Sequence, residues 1–320
     1  MFYKLKKISG DASSRKFYRI QKGKKTSIIV EAKKDIYKNL TVYSAVNQIL
    51  RKNKINAPKL INTFSTHSFI EISDLGEKSF LEFIKKKRNK FNYYKKIIDL
   101  LINMQKIKIK DNYKFKDKKI NFQYYDKRKL HKESDLFFDW YLKYLLKKKF
   151  KKKMKTKIKK ELDKLYCKLK FQNNIFTQRD FHAANIMMKG GKFGVIDNQD
   201  AIIGNRFYDL ASLIDDVRIT ISDKTQENLF RYYVLKSRLN LKNLRTLKQE
   251  FSILSIQRNL KILGIFVRLY IRDEKPNYLK HLPNTWKLLK KRMKDPIFKD
   301  LKKLLNSVIS LKKTGKYKFR

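Results

Sequence analysis

Residues 176–200 read FTQRDFHAANIMMKGGKFGVIDNQD. Asp180 stands in a turn-like segment, Asn185 follows five residues later, and the apolar run IMM begins at once. After Gly190–Gly191, a hairpin-turn signal, a second apolar run, FGVI, ends on Asp197. A hairpin beginning just after Asn185 and ending in Asp197 can place both side chains on one cation, with Asp180 one loop away. Phosphoryl transfer asks for such a set: a carboxylate to orient the attacking hydroxyl, and oxygen ligands to fix Mg²⁺ on the β- and γ-phosphates. Mg²⁺ keeps several of its waters, so one Asn and one Asp suffice. The pattern points to Asp180 as base and to Asn185 and Asp197 as metal ligands. The plain alternative is a turn-forming Asp, a capping Asn and a strand-ending Asp. His182, with no histidine partner at ligand spacing, reads as a brace of the loop rather than as a metal ligand.

The surroundings favour the chemical reading. Upstream, FYKLKKI, KFYRIQK and SIIVEA are short β-prone runs separated by Gly10 and Gly23. A helix-period segment follows over 38–52, then KLINTF and FIEI. From Ser79 onward helical periodicity dominates, with spans at 79–88, 92–107, 133–149, 153–171, 206–217, 223–239, 245–272 and 284–293. Residues 108–128 lack a period and read as a connector. The expectation is an α+β chain with a small β-rich lobe, 1–76, and a large helical lobe, 77–320, interrupted only by the hairpin quoted above.

Composition sets bounds. The 320 residues are 42% hydrophobic and 13% aromatic, enough for a packed core. The single cysteine, Cys167, excludes an internal disulfide and every multi-cysteine metal motif. Neither a membrane span nor a signal-peptide core is present, which suits a cytoplasmic enzyme. Lys and Arg number 80 against 29 Asp and Glu, a net charge of +51. Such a charge would suit a polyanion binder, yet lysine is spread along the whole chain. The densest run, KKKFKKKMKTKIKK at 147–160, carries Phe150, Met154 and Ile158 four residues apart, the mark of a solvated helix with one apolar stripe.

TQRDFHAAN with GVIDNQDA resembles the aminoglycoside phosphotransferase superfamily, kinases of protein-kinase-like fold. GDASSRKFYR, EISDLGEKSFLEFI and QRNLKILGIFVRLYIRDEKPNYLKHLP are similar to stretches of one branch. Its members phosphorylate N-acetylmuramate and N-acetylglucosamine at the anomeric hydroxyl in cell-wall recycling. The resemblance implies ATP and Mg²⁺, Ser13, Ser14 and Arg15 over the phosphates, and adenine against the backbone near Ile72, Asp74 and Leu75. It implies Asp209 as a buried support of the catalytic loop, and a monomer acting on a small amino sugar rather than on nucleic acid.

Three positions depart from that family's pattern. Gln178 stands where His is usual, Asn198 where an aromatic is usual, and Glu31 on the strand that generally carries a phosphate-binding Lys; Lys33, Lys34 or Arg15 are the basic residues placed to substitute. Glu133, Asp135 and Arg258 are candidates for the acceptor site, with surface charge as the plain alternative. An aminoglycoside or amino alcohol acceptor, and a polyanion-binding role on a kinase-like scaffold, remain the competing functional readings.

Overall fold

The computed structural model describes residues 4–8, 15–32, 37–64, 68–109, 112–169, 174–312 and 314. In chain order the first strands are β1 (Lys4–Ile8), β2 (Lys16–Lys22) and β3 (Lys25–Glu31), then α1 (Tyr37–Lys52), β4 (Leu60–Phe64) and β5 (Phe69–Ser73). There follow β6 (Lys78–Ser79), α2 (Phe80–Lys85), α3 (Phe91–Gln105), β7 (Asn112–Phe115), β8 (Lys118–Asn121), α4 (Lys127–Leu136) and a π turn at Phe137–Leu142. Next come α5 (Lys143–Leu146), α6 (Lys152–Tyr166), β9 (Ile175–Thr177), β10 (Ile186–Lys189), β11 (Lys192–Val195) and β12 (Ile202–Gly204). The chain closes with α7 (Phe207–Ile214), α8 (Asp223–Lys236), α9 (Leu244–Asp273), α10 (Leu282–Arg292) and α11 (Lys299–Val308). Residues 1–123 with 178–202 form one compact unit, and 124–177 with 203–320 a second.

In the first unit β1-β2-β3-β5-β4 form an antiparallel sheet. The β2–β3 hairpin turns at Gly23, whose φ of 58° suits a residue without Cβ. The sheet's apolar side chains Ile28, Val30, Ile70 and Ile72 meet Leu40 and Tyr43 of α1 in one core. Each fully buried aliphatic chain there contributes about 1.5–3 kcal/mol. A second, three-stranded sheet runs β11-β10-β6. β6 leads into α2, whose N-terminus is closed by a capping box between Ser79 and Glu82.

In the second unit the 30-residue α9 is buried along most of its length. A Cβ on Gly264 would lie 2.2 Å from the Leu136 carbonyl oxygen and 2.7 Å from the Phe137 nitrogen. Glycine therefore lets α9 come this close to the start of the π turn. Around that turn Phe137 and Tyr141 stack, both rings pack against Trp286, and the Trp286 Nε1–H donates to the Tyr141 hydroxyl at 2.8 Å. Asp215, after α7, takes both arms of the Arg292 guanidinium at 2.6 and 2.8 Å. Among the described residues no helix is long and apolar enough to cross a membrane.

Several expectations need correction. The connector at 108–128 contains the β7–β8 hairpin, whose Phe115 and Ile120 pack on Ala45. The helix expected at 133–149 begins at Lys127, after an Asp126 side-chain cap, and passes through the π turn to end near 146. The helix expected at 153–171 stops at Tyr166, with Ile158 buried, Met154 half-buried and Phe150 outside it. α11 lies beyond the last expected helix.

Candidate active site

β10 and β11 pair with Ile186 opposite Val195, turning through Gly190 and Gly191 at φ 55° and 71°. One step beyond that pair, the Ile196 N–H donates to the Asn185 carbonyl at 3.0 Å. Asn185 and Asp197 therefore stand together at the open end of the hairpin. The 3₁₀ turn before it is self-braced: the His182 N–H donates to the Asp180 carbonyl at 2.9 Å and the Asn185 N–H to the His182 carbonyl at 3.0 Å. Asn185 Nδ2 donates to the same Asp180 carbonyl at 3.1 Å, which leaves the Asn185 amide oxygen as the group suited to a cation. His182, 7% exposed, thus braces the loop through its backbone, with its ring nitrogen Nε2 3.4 Å from Asn185 Nδ2.

Backbone strain marks both acids. Arg179, just before Asp180, has φ 76°, and Asp197 has φ 63°. A non-glycine residue there costs on the order of 1–3 kcal/mol and persists only where the surroundings enforce it. Burial pushes the Asp197 carboxyl above the usual range; the charges of Asp180 and Asp200 push the same way, while Arg15 and the Gln199 amide oppose them. Two carboxylates that repel one another are a natural seat for a divalent cation. Among the described residues no cluster of three or more His, Cys, Asp or Glu gathers at one point. A cation here would rely on few protein oxygens, the condition that Mg²⁺ meets because it retains its waters. The hard donor set of Asn185 and Asp197 fits it.

Arg15 reaches this end of the hairpin. Its Nη2 lies 2.9 Å from Asp197 Oδ1, its Nη1 donates to Gln199 Oε1 at 3.2 Å, and Gln199 Nε2 donates back to Asp197 Oδ1 at 3.0 Å. The guanidinium lies about as far from the rings of Phe17 and Tyr43 as a cation–π contact allows, 5.9 and 6.0 Å. Glu31, on the strand position of the missing lysine, is turned to Lys16 across the sheet at 2.9 Å. Ser13, Ser14, Lys33 and Lys34 lie outside the described residues.

The other nucleotide candidates sit at the end of β5. Ile72 lies inside the sheet opposite Ile28. The Asp74 carboxylate holds Arg19 at 2.7 and 3.1 Å and accepts from the Gly76 N–H at 2.9 Å; its carbonyl accepts from Lys189 Nζ at 3.1 Å. Leu75 packs toward Gly194, where an added Cβ would meet it at 2.8 Å.

Two of the departures from the family pattern explain each other. Gln178 is fully buried, and its Nε2 donates to the Ile196 carbonyl at 2.8 Å and to Asn198 Oδ1 at 3.0 Å. Asn198 Nδ2 donates in turn to Asn47 Oδ1 on α1 at 2.8 Å and to the Val195 carbonyl at 3.1 Å. The paired amides tie the loop before Asp180 to the strand end that presents Asp197. Sequence reasoning missed Asn47 and Gln199. The signal for Asn47 was a polar residue on the apolar face of α1; Gln199 had none.

The remaining candidates belong to the second unit. Glu133 is buried and accepts from Tyr125, from Tyr208 at 3.2 Å, from Gln257 at 3.2 Å and from Lys261 at 3.0 Å. Asp135 pairs with Lys159 at 2.9 Å and Lys155 at 3.5 Å. Arg258 is 5% exposed on α9, and Asp209 is buried in the first turn of α7.

Comparison with known proteins gives the family and the fold. Residues 4–243 match the model of the phosphotransferase enzyme family. An N-acetylmuramate/N-acetylglucosamine kinase of Pseudomonas aeruginosa is 26% identical over 305 residues, 94% of this chain and 87% of the relative. The protein of the same name from Neisseria meningitidis serogroup B is 25% identical over 86% of this chain and 81% of its own. Among solved structures, the ADP-bound aminoglycoside phosphotransferase APH(2'')-Ib superposes with a TM-score of 0.58 at 14% identity, covering 90% of this chain and 92% of its own. The fold is the two-lobed α+β kinase-like fold, with a small antiparallel sheet and a large helical part. With three quarters of its length under the family model, the chain belongs to the phosphotransferase enzyme family, as an ATP-dependent kinase of hydroxyl groups.

Proposed function

We propose that this kinase moves the γ-phosphoryl group of ATP to the anomeric hydroxyl of an amino sugar of the N-acetylmuramate or N-acetylglucosamine type. The observation that carries the acceptor class is the match, along nearly the whole chain, to relatives bearing that kinase name. Asp180 accepts the proton of the sugar hydroxyl as its oxygen bonds to the γ-phosphorus and the bond to the β-phosphate oxygen breaks, releasing ADP. An anomeric hydroxyl is more acidic than an ordinary alcohol, so a carboxylate base suits it. Asn185 and Asp197 would hold Mg²⁺, which would supply charge neutralisation to the phosphates when bound. Arg15, with Ser13 and Ser14, faces the phosphates, and the backbone near Ile72 to Leu75 faces adenine. His182 and Asp209 support the loop, and Glu133, Asp135 and Arg258 shape the acceptor side. The enzyme works as a cytoplasmic monomer, with 1–76 as nucleotide lobe and 77–320 as the lobe of catalytic loop and acceptor.

ADP release measured over a panel of amino sugars, aminoglycosides and amino alcohols tests this, with Asp180→Asn run beside the parent. The free amino sugar and its 6-deoxy analogue are expected to react and the methyl glycoside to be inert. Asp180→Asn is expected to lower turnover roughly 10²–10⁴-fold while nucleotide binding persists. Equal phosphorylation of methyl glycoside and free sugar would move the transfer to another hydroxyl. Turnover confined to an aminoglycoside or amino alcohol would replace the acceptor class.

A further inference from the structure

Arg15 and Asp197 form an ion pair at the position proposed above for the cation, and the pair is built to exchange. The Arg15 side chain is 10% exposed, whereas the Asp197 side chain is 37% exposed, so the acid remains reachable from solvent while its partner is largely covered. Both short contacts, from Arg15 and from Gln199, converge on the single oxygen Oδ1. Arg15 and Gln199 also bond each other, closing a three-membered clasp. The aromatic faces of Phe17 and Tyr43 near the guanidinium offer it a resting place that does not depend on Asp197.

We infer that Arg15 is a positioning residue that stands in for the metal: in the nucleotide-free enzyme it neutralises Asp197, and it releases the acid when phosphates arrive to take the guanidinium. The inference rests on the reading of Asp197 as a metal ligand. Mg²⁺ alone must break the clasp without giving Arg15 a new anion. ADP alone draws Arg15 away and leaves Asp197 charged beside Asp180. The two together break the clasp once and satisfy every charge. Metal and nucleotide therefore strengthen one another's binding, a coupling that is reciprocal by linkage.

Calorimetric titration of the full chain with MgCl₂ alone, with ADP alone, and with ADP at saturating MgCl₂ reads this without turnover. Arg15→Gln is expected to bind Mg²⁺ alone roughly tenfold more tightly than the parent, about 1.4 kcal/mol, and to lose a similar factor of ADP–Mg²⁺ coupling. Gln199→Leu changes no charge and loosens the same clasp. It is expected to shift both quantities in the same direction by a smaller factor, and it also serves should Arg15→Gln fold poorly. Mg²⁺ affinity and coupling within twofold of the parent in both variants would overturn the exchange. A rise confined to Arg15→Gln would mark plain removal of repulsion and overturn it as well. Asp197→Asn separates the two levels. If it leaves Mg²⁺ binding at the parent value, the metal assignment itself fails; if it abolishes binding while the Arg15 and Gln199 variants match the parent, only the exchange fails.

Discussion

Two Asp–Arg pairs with contacts under 3 Å, Arg292–Asp215 in one unit and Arg15–Asp197 in the other, have opposite surroundings. In the helical unit the side chains of Arg292 and Asp215 are 9% and 1% exposed. Asp215 also accepts from Ser255, and the guanidinium lies over the Phe251 ring at 4.7 Å. In the sheet-bearing unit the Asp197 side chain is 37% exposed beside Arg15, covered enough for burial to raise its carboxyl yet still reachable from solvent, on a strained backbone among like charges. A sealed charge pair holds elements together, because removing either partner strands the other in a medium that cannot solvate it. An open pair on a strained turn can change partners. The same two residue types make a sealed pair in one place and an exchangeable one in the other, and solvent access separates the two.

The largest contrast comes from neutralising the open acid. Asp197→Asn should cut phosphoryl transfer by at least roughly 10³-fold, since on the proposed reading it removes the charged ligand of the ion that stabilises the transferring charge. It should not lower the melting temperature at pH 7–8. A carboxyl raised by burial holds its proton more tightly folded than unfolded, so above the ordinary carboxylate range its ionised form detracts from stability. A melting temperature several degrees below the parent would break the comparison.

Next in size is the sealed pair. Arg292→Met should cost about 3–5 kcal/mol in urea unfolding, with turnover per folded molecule near the parent value. Adding Asp215→Leu should recover much of the loss, because the stranded charge is then gone. Failure of that recovery would show that the pair contributes through Arg292 packing alone.

The smallest effect tests an intermediate case. Arg19 and Asp74 are 13% and 4% exposed, and Arg19 also reaches Glu77. Burial alone would raise the Asp74 carboxyl; the hydrogen bonds from Arg19 and the Gly76 N–H outweigh it and hold it below the ordinary value. A depressed carboxyl contributes stability above its unfolded pKa of about 3.9 and loses it as pH falls through the lower folded value. Arg19→Met should therefore lower the melting temperature at pH 5–7 and flatten its decline as pH falls below about 4. An unchanged acid limb would exclude this pair from the acid response.

Much of this was readable along the chain because the deciding signals are local. The hairpin at 186–195 announces itself by two apolar runs around Gly190–Gly191, and Asn185 and Asp197 flank its open end, with Asp180 five residues before Asn185. The strands of the first sheet show as short β-branched and aromatic runs, and along β5 burial alternates from residue to residue. The β7–β8 hairpin was hidden because its turn uses Lys116 at φ 51° in place of glycine, and lysines fill its outward positions. The π turn was hidden in part because the residue packed most closely on its start, Gly264, lies more than a hundred residues away on α9. Arg15 was legible as a basic residue beside a glycine turn, but its pairing with Asp197 spans 182 positions. Contacts of that separation leave no trace in periodicity.

The amide pair of Gln178 and Asn198 bears on how such a loop can change over time. A buried side-chain amide left without its partner costs about 1–3 kcal/mol, a large share of the 5–15 kcal/mol by which a domain holds together. Gln178 and Asn198 satisfy each other and, through Asn47, reach the helix behind the sheet. A lineage that arrives at this pair from a histidine and an aromatic residue meets a less stable intermediate whichever position changes first. Gln178→His or Asn198→Tyr alone is therefore expected to lower stability by more than the two together, a difference that urea unfolding of the three variants measures. Ancestral reconstructions or chimaeras that restore only one of them would carry a defect that neither parent shows.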